Sequence, residues 1–274
     1  MTDHLLETAD ADHAIVTLTL NRPEARNAMS VEMMAALREA VPRLAADRSV
    51  RLVVLTGAAG AFCAGGDVKR FAARVPAANE AGEPRNGLDF EDRVQSIRTS
   101  MELSRCLHEM PKPTLAVISG PAAGAGLSLA LACDLRIAAE SAKLTTAFSR
   151  IGLSGDYGGS YFLTHLVGAA RARELFFTGE VLSGRQAFQL GIVNKAVPAD
   201  ALEAEARAFA IRLVALPTVA IGYMKKNLNA AQHGSLSDVM DLEAIHMIRT
   251  FMTDDHRRAA QAFVEKRPPE FKGR

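Results

Sequence analysis

Three short stretches hold residues whose types and spacing could do chemistry. "AFCAGGDVKRF" (61–71) follows the apolar run "RLVVLTGAAG", and "GPAAGAG" (120–126) follows "PTLAVIS", so both put glycine where a strand should give way to a helix. Glycine at such a turn leaves backbone N–H groups unscreened, and the helix beyond adds the positive end of its dipole. Each turn is therefore a candidate anion site. Phosphate is a poor fit: neither stretch has the G-x-x-x-x-G-K-[ST] of a phosphate loop, and the second lacks the G-x-G-x-x-G of a dinucleotide site. An oxyanion that develops during a reaction fits better, since it needs two convergent N–H donors, one from each turn, with no bulky side chains in front. The third stretch, "SRIGLSGDYGGSYFLTHLVG" (149–168), sets Asp156 among glycines and apolar residues, just before a helical run that begins near Gly158. Asp156 reads either as a helix-capping or turn aspartate, or as a base in a mostly apolar pocket. Burial there would raise its pKa and suit it to moving protons near neutrality.

Other constellations carry less. "GLSGD" (152–156) does not match the G-x-S-x-G elbow, and no histidine lies near Ser154 in sequence, although His165 or His108 could approach it in the fold. The seven histidines show no metal spacing; His246 and His256 read as faces of C-terminal helices. Cys63 sits between Phe62 and Ala64 with no basic neighbour to lower its pKa, and so reads as core filler.

The elements that must position these residues follow from periodicity. "IVTLTL" (15–20) alternates as a strand, "SVEMMAALREAVPRLAAD" (30–47) opens on a serine N-cap with helical spacing and a possible bend at Pro42, and "RLVVLTG" (51–57) is a buried strand. A long helix is expected over 90–110, a buried strand at 113–120 and a weaker one at 135–140. Strands alternating with helices imply parallel pairing in an α/β sheet covered on both faces. "VPAANEAGEPRNGLD" (75–89) has no defensible period and reads as a mobile loop. Beyond residue 158 the chain reads as helical apart from a short strand at 192–197.

Composition sets the bounds. The 274 residues, 49% hydrophobic with a net charge of +1, suit one large globular unit, and no basic block suggests a nucleic-acid groove or a membrane face. The three cysteines, Cys63, Cys106 and Cys133, are odd in number and widely spaced, which argues for reduced thiols. With neither a signal-peptide pattern nor a membrane-length apolar run, the expectation is a cytoplasmic protein.

Taken together, "LTLNRPEARNAMS" (18–30), "VVLTGAAGAFCAGGDVKRF" (53–71), "KPTLAVISGPAAGAGLSLALACDLRIAAESAKL" (112–144), "GGSYFLTHLVG" (158–168) and "AFVEKRPPEFKGR" (262–274) resemble, in order and at family spacing, the crotonase (enoyl-CoA hydratase/isomerase) superfamily of acyl-CoA enzymes. The resemblance implies a crotonase-like α/β spiral core of ββα turns over 1–197 and a helical C-terminal region over 198–274, used to form a trimer or a dimer of trimers. It places the two N–H donors at Gly66 and Ala125, where they would bind the thioester carbonyl, with Gly65 and Asp67 of the same motif against the substrate. It sets the Ala64 carbonyl at the adenine of CoA, Arg26 and Lys69 near the phosphates, and Phe263 with Lys266 as residues often supplied by a neighbouring subunit. Coenzyme A would enter as the substrate thioester, with no resident cofactor and no metal.

The sequence departs from the usual pattern where water-adding relatives carry two glutamates, because the matching positions are Ser128 and Phe148. Asp156 instead falls where relatives lacking both glutamates, such as ring-epoxide acyl-CoA isomerases, carry a catalytic aspartate, with Phe148 as an apolar wall beside it. The resemblance thus implies double-bond or ring isomerisation of an enoyl-CoA through Asp156. The alternatives are hydration with Asp156 as the sole acid and base, a nucleophilic Asp156 forming an aryl ester, a thioesterase, or a non-catalytic acyl-CoA- or RNA-binding scaffold.

Overall fold

A computed structural model of the chain describes residues 3–67 and 90–274. Lys69 and the expected loop at 75–89 lie outside the described residues. Six strands form one sheet in the order β1 (Leu5–Asp10), β2 (Ile15–Leu20), β3 (Leu52–Gly57), β4 (Thr114–Ile118), β6 (Leu135–Ala139) and β9 (Lys195–Val197). A smaller sheet orders β5 (Ala122–Ala123), β7 (Lys143–Thr145) and β8 (Leu182–Ser183). From β2 onward the large sheet is parallel, with Val54 opposite Leu115 and Val117 opposite Ile137.

The expectation of parallel pairing fails at two edges. β1 runs antiparallel to β2, and β8 antiparallel to β7. In β1 only Leu5 is buried, so its sequence lacks the alternation that marks a strand, and the hairpin is set instead by the turn, where Ala14 is left-handed and the Asp10 carboxylate accepts from His13 N–H.

Helix α1 (Val31–Ala46) starts where the Ser30 hydroxyl accepts from Met33 N–H at 3.0 Å, and it lays Met33, Leu37, Val41 and Leu44 on the sheet. Pro42 stays within the helix, on its exposed side. Helix α2 (Phe90–Glu109) packs on α1, and the short helix α3 (Ala125–Ala132) is buried along its whole length. An eight-residue helix with no solvent face suits the run "AGLSLALA", which is apolar except for Ser128. Its last carbonyls are satisfied by the buried Arg136, whose guanidinium donates to Cys133 O at 2.6 Å and Leu131 O at 3.3 Å. Lys112, also buried, does the same for α1 through Leu44 O and Asp47 O.

Helices α4 (Gly159–Thr178) and α5 (Gly184–Gln189) follow, and beyond β9 the chain continues as α6 (Leu202–Val214), α7 (Thr218–Ala231), α8 (Leu236–Phe251) and α9 (Asp254–Val264). Helix α6 packs on β3, β4 and β6, whereas α7 packs on α2, and α8 packs on α7 and α9. The central core includes Phe62, Leu115, Leu129 and Ile137, all fully buried, each worth roughly 1.5–3 kcal/mol in transfer from water.

Candidate active site

The first glycine turn begins where β3 ends. Its shape is held from the N-terminal segment by Asn27, which is fully buried in left-handed backbone and donates to both Ala58 O and Ala61 O at 2.9 Å. The next bonds form a ladder: Ala64 N–H donates to Arg26 O at 2.9 Å and Met29 N–H to Gly65 O at 2.8 Å. On its other side the same turn is laced to the second one. Phe62 and Cys63 N–H both donate to Pro121 O at 3.0 Å, and Ala123 N–H donates to Cys63 O at 2.9 Å.

The glycines are there because the two turns touch. A Cβ on Gly65 (φ +90°) would stand 2.7 Å from Ala123 O, and one on Gly126 would stand 2.4 Å from Cys63 O. No L side chain fits at either place. Inside this joint the N–H groups of Gly66 and of Ala125, the first residue of α3, have no acceptor among the described residues. The two turns therefore present two free donors, one of them at a helix N-terminus.

Asp156 sits in a turn that the sequence could not resolve. Its side chain does not cap α4: that place belongs to Gly158, and only the Asp156 carbonyl engages the helix, accepting from Gly159 N–H at 3.0 Å. The capping reading is thereby set aside. The carboxylate oxygen Oδ1 is buried with no hydrogen-bond partner, and burial pushes the carboxyl pKa up to about 6. Phe148, 5% exposed, connects this turn to the donor turn and stacks on Phe176 with ring centres 6.0 Å apart. A Cβ on Gly124 would meet the Phe148 ring at 3.6 Å, and one on Gly155 would meet it at 3.8 Å. One apolar ring thus reaches from the residue before Ala125 to the residue before Asp156.

The remaining predicted residues divide. Ala64 carries a carbonyl with no donor among the described residues, and Arg26 lies beside it, exposed and left-handed. The Asp67 carboxylate is held by Arg22 at 2.8 Å, an ion pair that ties the first turn to the N-terminal segment. Phe263 and Lys266 close α9, and Phe263 is 85% exposed with no described contact to either glycine turn. Ser128 is buried against α4, with its hydroxyl bonded to Gly124 O and directly facing Gly159. Cys63 is a free thiol pushed by burial to about 12, as filler should be. Ser154 is exposed, while His108 and His165 belong to a ring cluster with Tyr161 and Phe162, so neither of these histidines pairs with Ser154.

Sequence reasoning missed Arg22, Asn27, Phe176 and Tyr157. Arg22 and Asn27 lie in the conspicuous "NRPEARNAMS", but nothing local tells that their partners are some 30 to 45 residues away.

Two bare N–H donors on paired glycine turns and a carboxylate with one buried, partnerless oxygen, linked by the Phe148 ring, form a candidate enzyme site for chemistry beside a carbonyl group. The enoyl-CoA hydratase/isomerase family model matches residues 10–274, and the chain belongs to that family. It is 37% identical over 263 residues to the 1,2-epoxyphenylacetyl-CoA isomerase of Escherichia coli, covering 96% of this chain and 97% of the relative. It is also 37% identical over 266 residues to a protein of Rhodobacter capsulatus named a probable enoyl-CoA hydratase, with 97% of each covered. Among solved structures, an enoyl-CoA hydratase from Polaromonas superposes with a TM-score of 0.87 at 34% identity, covering 98% of this chain and 99% of that one. The expected crotonase fold is borne out.

Proposed function

We propose that the protein isomerises an enoyl-CoA, moving a double bond or rearranging a ring, with Asp156 as the only proton carrier. The acyl-CoA thioester is the substrate and brings its own coenzyme A; no resident cofactor is required. In this reading the Gly66 and Ala125 N–H groups donate hydrogen bonds to the thioester oxygen. The Asp156 carboxylate then removes a proton from the acyl chain, and the C–H electron pair moves into the enolate. The negative charge on oxygen is where two free donors stabilise it most. Asp156, now protonated, returns the proton to a different carbon, and no atom is gained or lost.

The observation that carries this reading is the partnerless Asp156 oxygen beside Phe148. Water addition in relatives with two glutamates has a carboxylate at that place; here there is a buried ring that orients no water. Offering the purified protein a 2-enoyl-CoA, a 3-enoyl-CoA and a ring-epoxide phenylacetyl-CoA, each with the Asp156→Asn variant alongside, tests it. Isomerised product that vanishes in the variant is expected. Fast hydration of the 2-enoyl-CoA, indifferent to the substitution, would overturn it.

The C-terminal helices leave Leu236, Met240, Met247, Ile248, Phe251 and Met252 exposed on one apolar face. We infer that this face is covered by further copies of the chain in a trimer or a dimer of trimers, which would also place a neighbour's Phe263 and Lys266 near the bound CoA. Sedimentation equilibrium measures this directly, and a monomer at micromolar concentration would refute it.

A further inference from the structure

Tyr157, directly after the carboxylate, stands in left-handed backbone with φ +50°, and it is bracketed by Gly155 (φ +115°) and Gly158 (φ +74°). Glycine adopts such angles freely, but a bulky aromatic residue there is an outlier that its surroundings must enforce. The surroundings are visible. The residue is only 8% exposed, and it lies near the Ser100 side chain of α2 and within electrostatic range of Asp156, of Arg38 on α1 and of Cys63 in the first glycine turn.

The left-handed residue has a geometric effect. In a strand neighbouring side chains point to opposite faces, and in a helix they diverge by about 100°. Here two consecutive side chains both go inward: the Asp156 Oδ1 is buried, and so is the next ring.

We propose that Tyr157 is the positioning residue of the site, its buried ring holding the strained turn that aims the Asp156 carboxyl inward and keeps water from it. It does not touch the reacting atoms; it acts through Asp156. The inference rests on the reading of Asp156 as the proton carrier. The charged and titratable groups around the pair are Cys63, Arg38 and the phenol itself.

Titration of the Asp156 carboxyl by 13C NMR in the free enzyme, set beside the pH profile of turnover, tests this. Tyr157→Gly accepts the backbone angle without strain but removes the ring. The Asp156 midpoint should then fall by about one unit or more and kcat by about tenfold or more, with KM changed less than about threefold. Tyr157→Phe keeps the ring and should hold the midpoint within about half a unit of the wild type. Should the glycine variant fail to fold, Tyr157→Asn, which also tolerates left-handed backbone, carries the same expectation.

A folded glycine or asparagine variant that keeps both the wild-type midpoint and the wild-type kcat overturns the positioning role. Its failure is distinct from that of the underlying reading. An active Asp156→Asn enzyme would remove the proton carrier itself, whereas an inactive one with a silent Tyr157→Gly would remove only the role of Tyr157.

Discussion

Gly65 lies so close to Ala123 that a methyl group on it would stand 2.7 Å from the Ala123 carbonyl oxygen. Real Cβ atoms do not approach that closely, and Gly65 adds a backbone angle of φ +90° that alanine resists. Gly65→Ala should therefore part the two turns and separate the Gly66 and Ala125 donors. A loss of about 10²-fold or more in kcat is expected, together with about 1–3 kcal/mol of stability. Steady-state kinetics and urea unfolding on the same preparation measure both, and an active, stable variant would contradict the joint.

Ala125 is the first residue of α3, the one helical position at which proline is welcome. Ala125→Pro deletes a single N–H that bonds to no described residue, so the helix loses nothing. With fold and melting temperature near those of the wild type, kcat should fall by roughly 10²- to 10³-fold. Full activity in the folded variant would mean that this N–H does not serve the reaction.

The Asp156 carboxyl, raised from 3.8 to about 6, should govern both rate and stability. As a base it must be ionised, so kcat/KM should rise with pH, with a midpoint near 6, and level off above it. Stability should move the other way. The folded state binds this proton more tightly than the unfolded chain, so stability falls as pH rises through the window between 3.8 and about 6 and stays reduced above it. Asp156→Asn should thus stabilise the protein at pH 7.5 by on the order of 1–3 kcal/mol, with little effect at pH 4. Thermal unfolding at the two pH values reads the difference.

Restoring the two glutamates should not create a hydratase. The Ser128 hydroxyl already stands 2.3 Å from where a Cβ on Gly159 would be, so a longer side chain has nowhere to extend. At position 148 a carboxylate would be buried in place of a ring stacked on Phe176. Ser128→Glu with Phe148→Glu is expected to cost about 3–5 kcal/mol or more, and to gain no measurable water addition. A folded double variant that hydrates a 2-enoyl-CoA would show that the pocket tolerates the other chemistry.

Much of this was legible because it is local. "RLVVLTG" and "PTLAVISG" could only be buried strands, and the glycine turns after them were visible as places where N–H groups would be bare. What stayed hidden was long-range. Asp156 could be a cap or a base until its turn was seen to put Gly158 at the cap position. Asp67 read as a substrate contact, and its ion pair with Arg22 depends on two segments meeting. Likewise β1 was unreadable because a strand with one buried residue leaves no alternation to detect.

The bonds that shape the first turn come from Arg26, Asn27 and Met29, and those that close it against the second come from Pro121 and Cys63. None of them can form while the chain has only local structure. The donor pair is thus a late product of folding, assembled after distant segments have closed their loops, and contacts of that range form slowly. Recovered activity is accordingly a stricter clock for refolding than helix content, and it should lag behind the far-ultraviolet signal.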